Sequence, residues 1–479
     1  MGGGPAETTP NPHRWTILSI VILMAFMSSL DSSIVNIALP TLTQSLNEPI
    51  STTTWVVTSY LIAICAMMLL FGRMGDIKGN TRIFRLGIVV FTCGSLLCGI
   101  SVNLPMLIIS RVIQATGAAS AMATNQGIIT QTFPKSERGR ALGFNGTSVA
   151  IGSLLGPPLG GFIVAALSWH FIFLINIPIG IFVFLRGRKI LPKSYATEEK
   201  LDLKGVVLFA LSAILIFCAV GVGDTIHFSS PLIIPPIIAG VLLLAVFIIV
   251  ERRQNQPMLD LSIFKNGLFS ISIVCVLLVY AALNSINIIQ PFYLQSARNL
   301  NSFTAGLIMM VYPVVLGVSS PLSGYLSDRI GQKLPTLIGL CLSTLAYIGA
   351  ALMTLDTSLA LTCVIYGFLG VGNALFMSPN TSLIMSTVPP SKLGVAGSIN
   401  SLCRNMGFIF GVLTATTVLF SSMSSKYGQP VNDYIQGRPD LFIYGMRTTY
   451  FVFAGVCFAA VLVTAVRLFA WGNRKTETV

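Results

Sequence analysis

The sequence predicts an all-α integral membrane protein whose helices cross a bilayer fourteen times. Of its 479 residues, 54% are hydrophobic and only 9% are charged, whereas soluble domains carry about a quarter charged residues. Uncharged runs recur along the chain, each close to the roughly 20 residues that an α-helix needs to cross the hydrocarbon. Most of the chain is therefore expected to face lipid or other helices.

The predicted spans separate loops of unequal charge. The spans are residues 15–38, 54–71, 86–102, 104–125, 141–165, 169–185, 205–223, 231–250, 268–292, 303–325, 334–354, 357–385, 393–420 and 448–466. Most Lys and Arg residues lie on the side of the amino terminus, and the opposite loops carry Arg298, Lys426, Arg438 and Arg447. By the positive-inside rule we expect a cell-membrane protein with both termini in the cytoplasm. The net charge of +13 thus indicates topology and contact with anionic lipid, without a nucleic-acid partner.

Internal repetition predicts two six-helix halves around two inserted helices. The segment GRMGDIKG, with Gly72 and Asp76, recurs as GYLSDRIG, with Gly324 and Asp328. A second register pairs Gly117, Asn125, Asn145, Gly152 and Gly156 with Gly372, Asn380, Asn400, Gly407 and Gly411. Parallel halves of this kind enclose a substrate cavity that opens alternately to the two sides. The predicted units are a tail at 1–14, a half at 15–190, inserted helices at 203–252, a half at 268–470 and a tail at 471–479.

Asp31 is the clearest candidate for chemistry, because it lies deep in the first predicted span. A carboxylate at such a depth costs about 2.5 to 3.5 kcal/mol on insertion scales. Ser28, Ser32 and Asn36 extend a polar sector that can turn Asp31 toward a cavity. There it could take and release a proton near neutral pH. The alternative is a buried Asp that only joins helices by hydrogen bonds.

Two arginines also lie within predicted spans. Arg111 needs a carboxylate, carbonyls or water beside it, and the sequence does not show which. It either controls the proton of a nearby acid or is a fixed structural ion. Arg404 in the thirteenth span either binds an anionic group of a substrate or extends toward the membrane surface.

Three further sets of residues are candidates. In GSLLGPPLGG, the glycines allow close helix contact and Pro157 and Pro158 bend the helix; the set is Gly152, Gly156, Pro157, Pro158, Gly160 and Gly161. The repeated GxxxDxxG loops predict either a charge latch between conformations or a tight turn, with Gly72, Asp76, Arg82, Asp328 and Arg329. Polar residues in the spans either line the cavity or bond neighbouring helices, namely Tyr60, Asn284, Asn287, Gln290, Asn380 and Asn400.

These segments resemble the major facilitator superfamily, and within it the fourteen-span drug:proton antiporter family. LDSSIVNIALP is similar to the first-span motif, with its acid at Asp31, and RVIQATGAA to the fourth-span motif, with Arg111 and Gln114. GSLLGPPLGG resembles the fifth-span antiporter motif. GRMGDIKGNTR resembles the cytoplasmic motif, but Asn80 and Thr81 replace its usual basic pair. The resemblance implies a major facilitator fold and assigns proton coupling to Asp31, Arg111 and Gln114.

The implied function is proton-coupled export of small amphipathic molecules by alternating access. A proton gradient would supply the energy, and we expect no cofactor and no metal. The partners would be a small-molecule substrate, protons and membrane lipid. The protein is expected to be a monomer. Because Asp31 is the one clear embedded acid, we expect neutral, monocationic, zwitterionic or, given Arg404, anionic substrates.

Three alternatives remain open from the sequence. The first is a proton-coupled transporter of one metabolite such as an amino acid, a peptide or an organic acid. The second is a passive channel or lipid protein. The third is a membrane enzyme or sensor, and against it the chain has no HExxH, nucleophile-elbow or phosphate-loop motif.

Overall fold

The described part of the computed structural model contains fourteen helices that are long and apolar enough to cross a membrane. It comprises residues 12–192, 202–226, 233–254, 261–388 and 393–471. No strand occurs within these ranges, so the all-α prediction is confirmed. The predicted tails at 1–14 and 471–479 lie almost entirely outside them.

The helices follow one another in two halves around an inserted pair. The amino-terminal half contains α1 (Arg14–Leu46), α2 (Ile50–Thr53), α3 (Trp55–Lys78), α4 (Asn80–Gly99), α5 (Leu104–Thr132), α6 (Lys135–Ala166), α7 (Phe171–Leu174) and α8 (Asn176–Ile190). The inserted pair is α9 (Leu203–Ile226) and α10 (Ile234–Arg253). The carboxy-terminal half contains α11 (Gly267–Phe292), α12 (Ser302–Ile330), α13 (Lys333–Ala351), α14 (Leu359–Ser386), α15 (Leu393–Tyr427) and α16 (Pro439–Trp471). The single turns α2 and α7 lead into α3 and α8.

Several helices extend beyond the apolar runs that predict them. The first span, predicted to end at residue 38, continues as α1 to Leu46, and the last begins at Pro439 instead of residue 448. Arg447 therefore lies inside α16, whereas the sequence placed it in a loop. Hydropathy detects only the hydrocarbon thickness, while a helix keeps its backbone hydrogen bonds through the headgroup region as well.

The repeated glycines make equivalent contacts in the two halves. A Cβ on Gly152 of α6 would lie 2.6 Å from the carbonyl oxygen of Phe26 in α1, and one on Gly407 of α15 would lie 2.7 Å from that of Leu277 in α11. Such distances leave no room for a side chain. The sequence repeat thus corresponds to a repeated helix packing. Helix α6 packs against α1 in the amino-terminal half in the same way as α15 packs against α11 in the carboxy-terminal half.

The inserted pair packs against one side of the molecule and contacts both halves. The rings of Phe209 in α9 and Phe247 in α10 lie 5.5 Å apart. A Cβ on Gly221 of α9 would lie 2.7 Å from the ring of Trp55 in α3 and 3.2 Å from Leu413 in α15. Helix α9 therefore covers the line along which α3 and α15 meet.

The two halves form hydrogen bonds with each other at one end of the bundle, where α1 ends. We call this end the far side. The opposite end, where α1 begins, is the N side. The amide of Gln295 donates to the carbonyl of Ile37 at 2.9 Å. The backbone N–H of Ile50 donates to the Asp433 carboxylate at 3.2 Å. These contacts join the halves near the ends of α1 and α11, so the structure is closed on the far side.

Candidate functional site

Asp31 lies in the middle of α1 with its side chain buried inside the amino-terminal half. Its Oδ2 atom is 2.6 Å from Nη1 of Arg111, which projects from α5. Its Oδ1 atom accepts hydrogen bonds of 2.8 Å from Gln114 and from Asn176. Both carboxylate oxygens are thus bonded to donors, as a buried charge requires.

Arg111 is held from three further directions. Its Nε donates to the carbonyl oxygen of Val56 at 3.1 Å, and its Nη1 also donates to Gln114 at 2.6 Å. The guanidinium carbon lies 3.9 Å from the ring centroid of Tyr60, within the range of a cation–π contact. Arg111 is 1% exposed, so these partners replace water around it.

Gln114 connects the ion pair to a third helix. Its Nε2 donates to the hydroxyl of Ser95 in α4 at 2.8 Å as well as to Asp31. We call Asp31, Arg111, Gln114, Asn176 and Ser95 the ion cluster. With the Val56 carbonyl, its hydrogen bonds join α1, α3, α4, α5 and α8, so a change in the charge of Asp31 would be felt by five of the six spans of this half.

The ion cluster differs from the predicted site in one respect. The sequence suggested that Asp31 faces a cavity between the halves, but its side chain is 0% exposed in this structure. Every one of its hydrogen-bond partners belongs to the amino-terminal half. The expected orientation is therefore not found here, because the carboxylate points into its own bundle and is itself the partner of Arg111 that the sequence could not identify.

Sequence reasoning did not find Asn176 and Ser95. Asn176 is an amide in the apolar segment FIFLINIPIG, and an amide among apolar residues is a usable signal for a buried polar contact. Ser95 gives no comparable signal, since serine is common in spanning helices and usually bonds its own backbone. Indeed its hydroxyl also donates to the Phe91 carbonyl one turn earlier.

Comparison with known families identifies the superfamily of the chain. The model of the Major Facilitator Superfamily matches the chain twice, over residues 21–412 and 272–478. The chain belongs to this superfamily. Its transporters are not enzymes, and the chain is accordingly a multi-pass membrane transporter, as the sequence motifs indicated.

Curated relatives from bacteria cover most of the chain. The riboflavin transporter RibZ of Clostridioides difficile is 36% identical over 94% of this chain and 97% of its own length. The multidrug resistance protein Stp of Mycobacterium tuberculosis is 30% identical, over 86% of this chain and 78% of its own. The probable multidrug resistance protein EmrY of Escherichia coli is also 30% identical, over 86% and 82%. The relatives thus include drug-type members of the superfamily and a transporter of one vitamin.

Solved structures of the superfamily share the fold. A bacterial homologue of the human lysosomal transporter Spinster, in an inward-facing and occupied conformation, superimposes with a TM-score of 0.72 at 15% identity, covering 98% of this chain and 100% of that one. A peptide transporter of the POT family gives a TM-score of 0.70 at 16% identity, covering 95% and 96%. At these identities the likeness establishes the fold, which confirms the predicted major facilitator architecture.

The glycine motif of this transporter lies at two helix contacts. Gly152, Gly156 and Gly160 face α1, and a Cβ on Gly156 would collide with the Ser33 hydroxyl. On the other face of α6, the Pro157 carbonyl touches Gly306 and Gly161 touches Ser302, both of α12. The motif thus packs α6 onto its own half and onto the opposite half at once. Pro157 and Pro158 both lie inside the helix.

The predicted latch residues lie at N-side turns. Gly79 and Gly331 have positive φ angles of 92° and 83°, which favour glycine and produce the tight turns. Arg329 places its guanidinium 4.6 Å from the ring of Tyr325 in its own helix. Asp76 and Arg82 are exposed, and the side chain of Asp328 is outside the described part. A latch role for these residues stays a prediction.

Asn80, which departs from the family pattern, has a packing role. It is 7% exposed, and its side chain fills the space beside Gly75 of α3 and Gly127 of α5, where a Cβ on either glycine would lie 2.5 Å from it. A longer basic side chain would not fit this space without moving a helix.

The predicted cavity residues divide into two groups. Three amides donate hydrogen bonds to neighbouring helices: Asn284 to the Phe408 carbonyl, Gln290 to the Tyr450 hydroxyl and Asn380 to the Ser272 carbonyl. These amides and Tyr60 are buried between helices. They therefore do not line an opening here. The remaining group is half-buried and stays a candidate for substrate contact, with Asn287, Asn400 and Arg404.

Proposed function

We propose that the chain is a proton-coupled exporter of small amphipathic molecules that works by alternating access in the cell membrane. The observation that carries this proposal is the buried ion cluster within one half of a two-half transporter. The positive-inside rule assigns the N side, with both termini, to the cytoplasm. The structure, closed on the far side, is then closed toward the outside of the cell.

The ion cluster offers a physical coupling between proton and conformation. Protonating Asp31 removes the negative charge and leaves the buried Arg111 guanidinium without its counter-charge, a situation that typically costs about 3 to 5 kcal/mol. The amino-terminal half can relieve this cost by rearranging the helices that the cluster joins. A proton on Asp31 thereby favours a second arrangement of the half, and its release favours the present one.

The charge of the spans supports an uncharged or weakly charged substrate. Among described residues, Asp31 is the one acid deep within the two halves, and it is already neutralised by Arg111. A divalent cation would thus meet no available counter-charge there. Small molecules with apolar rings and few charges fit this electrostatic setting better.

A second candidate function is transport of one metabolite, and the relative RibZ favours riboflavin. The identity of 36% extends over nearly the full length of both chains. Riboflavin is a neutral molecule with a planar tricyclic ring and a polar chain, which agrees with the charge balance described above.

Transport in reconstituted vesicles tests both candidates. We would impose a pH gradient and follow the uptake of labelled riboflavin and of the monocationic dye rhodamine 6G. The proposal predicts accumulation against a concentration gradient that a protonophore abolishes. Accumulation of riboflavin alone would assign the metabolite function, and movement of either compound at a rate independent of the pH gradient would refute proton coupling.

A further inference from the structure

The repeated glycine contacts show which residues of the two halves are equivalent. Phe26 of α1 and Leu277 of α11 meet the equivalent glycines of α6 and α15. Asp31 follows Phe26 by five residues, and Ala282 follows Leu277 by the same number. Ala282 therefore takes the place of Asp31 in the carboxy-terminal half.

The counterpart of Arg111 is a tyrosine. Tyr366 of α14 lies six residues before Gly372. Arg111 of α5 lies six residues before Gly117, the glycine that the sequence repeat pairs with Gly372. In the ion cluster the Asp31 carboxylate accepts from Arg111, whereas an alanine at the equivalent place offers Tyr366 no side-chain acceptor.

The counterpart of Ser95 is a tyrosine as well. A Cβ on Gly87 of α4 would lie 2.8 Å from the nearest glycine carbonyl oxygen of α5, and one on Gly339 of α13 would lie 2.5 Å from that of α14. Ser95 and Tyr347 follow these two glycines by eight residues each. The positions of the ion cluster are thus taken by uncharged residues in the carboxy-terminal half.

Tyr347 and Tyr366 belong to a group of polar side chains that we call the tyrosine cluster, together with Tyr450 of α16 and Gln290 of α11. Nε2 of Gln290 donates to the Tyr450 hydroxyl at 3.0 Å. The rings of Tyr347 and Tyr450 lie 6.3 Å apart, and Tyr366 interacts electrostatically with Tyr450. Each of the four residues is at most 1% exposed. The cluster is therefore sealed inside the carboxy-terminal half.

Three polar atoms of the tyrosine cluster have no hydrogen-bond partner in the described structure, namely the hydroxyls of Tyr347 and Tyr366 and Oε1 of Gln290. Ser285 approaches Tyr347, but its own hydroxyl donates to the Ala282 carbonyl at 2.7 Å. Turning the Gln290 amide over would exchange its two ends and still leave one of them unbonded. Buried polar groups of this kind are costly unless they are bonded.

The chemistry of the three atoms defines what can bind them. The two hydroxyls can donate and the amide oxygen can accept, so the ligand must do both. It must also be neutral, because no member of the cluster carries a charge that could balance an ion. Water meets these requirements, and buried water typically makes two to four hydrogen bonds to such groups.

We propose that the tyrosine cluster is an internal water-binding site of the carboxy-terminal half. Bound water accepts from the Tyr347 and Tyr366 hydroxyls and donates to Oε1 of Gln290. It thereby completes a neutral hydrogen-bond network across α11, α13, α14 and α16. The network contains no carboxylate, so the response to a proton on Asp31 stays within the amino-terminal half. The water site itself does not depend on the proposed transport function.

Replacing single hydroxyl groups gives opposite signs for a hydrated and a dry cluster. Tyr366→Phe and Tyr347→Phe each remove one oxygen atom. If the hydroxyl is bonded to water, the variant loses that bond, and the midpoint of thermal unfolding falls. If the hydroxyl is unbonded, its removal raises the midpoint. Tyr293→Phe calibrates the loss of one hydrogen bond, since the Tyr293 hydroxyl donates to the Thr354 carbonyl at 2.7 Å; we expect a decrease of similar size in the two cluster variants.

Radiolytic footprinting of the wild-type protein detects the water directly. X-ray radiolysis generates hydroxyl radicals from bound water in place, and mass spectrometry locates the labelled side chains. After correction for intrinsic reactivity, we expect the cluster tyrosines to be labelled several-fold more than Phe84 and Phe91, which are 0% exposed and packed among apolar side chains. Equal labelling of these tyrosines and phenylalanines overturns the proposal. So does an unchanged or higher unfolding midpoint in both Tyr366→Phe and Tyr347→Phe.

Discussion

The carboxylate of Asp31 and the guanidinium of Arg111 form an ion pair of 2.6 Å inside the amino-terminal half, away from the contacts that join the two halves. All hydrogen bonds of the pair lie within this half, so it does not act by direct contact with the carboxy-terminal half. It can act only by changing the shape of its own half, since its hydrogen bonds reach five spans. This places the proposed coupling in the packing of one bundle.

Removing one member of this pair should destabilise the protein more than removing both. Arg111→Gln leaves the Asp31 charge buried without its partner, and we expect a loss of about 3 to 5 kcal/mol in the free energy of unfolding. Adding Asp31→Asn should recover much of that loss. Unfolding in mixed micelles of both single variants and the double variant would measure the coupling energy. Additive losses would contradict a direct pair.

The glycines of the repeat should be sensitive to a single methyl group. Gly152→Ala and Gly407→Ala each bring a Cβ within 2.7 Å of a backbone carbonyl oxygen, and overpacking of this kind typically costs about 1 to 3 kcal/mol.

Gly455→Ala is the matched control, because its Cβ would meet open space. Alanine is favoured over glycine in a helix by about 0.5 to 1 kcal/mol, so this variant should be as stable as the wild type or more so. Similar stabilities for all three variants would show that the two helix contacts are not as close as described.

The far-side contact between the halves should depend on pH through Asp433. Burial raises the pKa of the Asp433 carboxyl above its ordinary value, although its hydrogen bonds from the N–H groups of Tyr434 and Ile50 oppose the shift. The closed state then binds the proton more tightly than an open state with a solvated carboxyl. The extra stability of the closed state is fully present when the pH is below the ordinary aspartate pKa of about 4. It is lost as the pH rises through the raised pKa of Asp433.

Hydrogen exchange at the Ile50 amide would measure this effect. After correction for the intrinsic pH dependence of exchange, protection should increase as the pH falls toward about 4. Asp433→Asn, which carries no charge at any pH, should show the high protection throughout. A wild-type profile that is flat, or that loses protection on acidification, would contradict the sign of this effect.

The sequence determined the fold more completely than the site. Span number and helix packing follow from local signals, namely apolar length and the spacing of glycines such as Gly152 and Gly407. The partner of Arg111 was not predictable, because it depends on which side of α1 meets α5. For the same reason Gln290 could be predicted as polar and buried, but not as a partner of Tyr450, since that contact joins helices far apart in the chain.

Proton release on substrate binding tests the central claim most directly. Riboflavin and rhodamine 6G would be added to the purified protein in weakly buffered detergent with a pH-sensitive dye, for the wild type, Asp31→Asn and the control Glu48→Gln. The account predicts that a transported compound releases protons from the wild type and the control but none from Asp31→Asn, and thermal unfolding of each sample checks that the variant is folded. Equal release from Asp31→Asn and the wild type would contradict it.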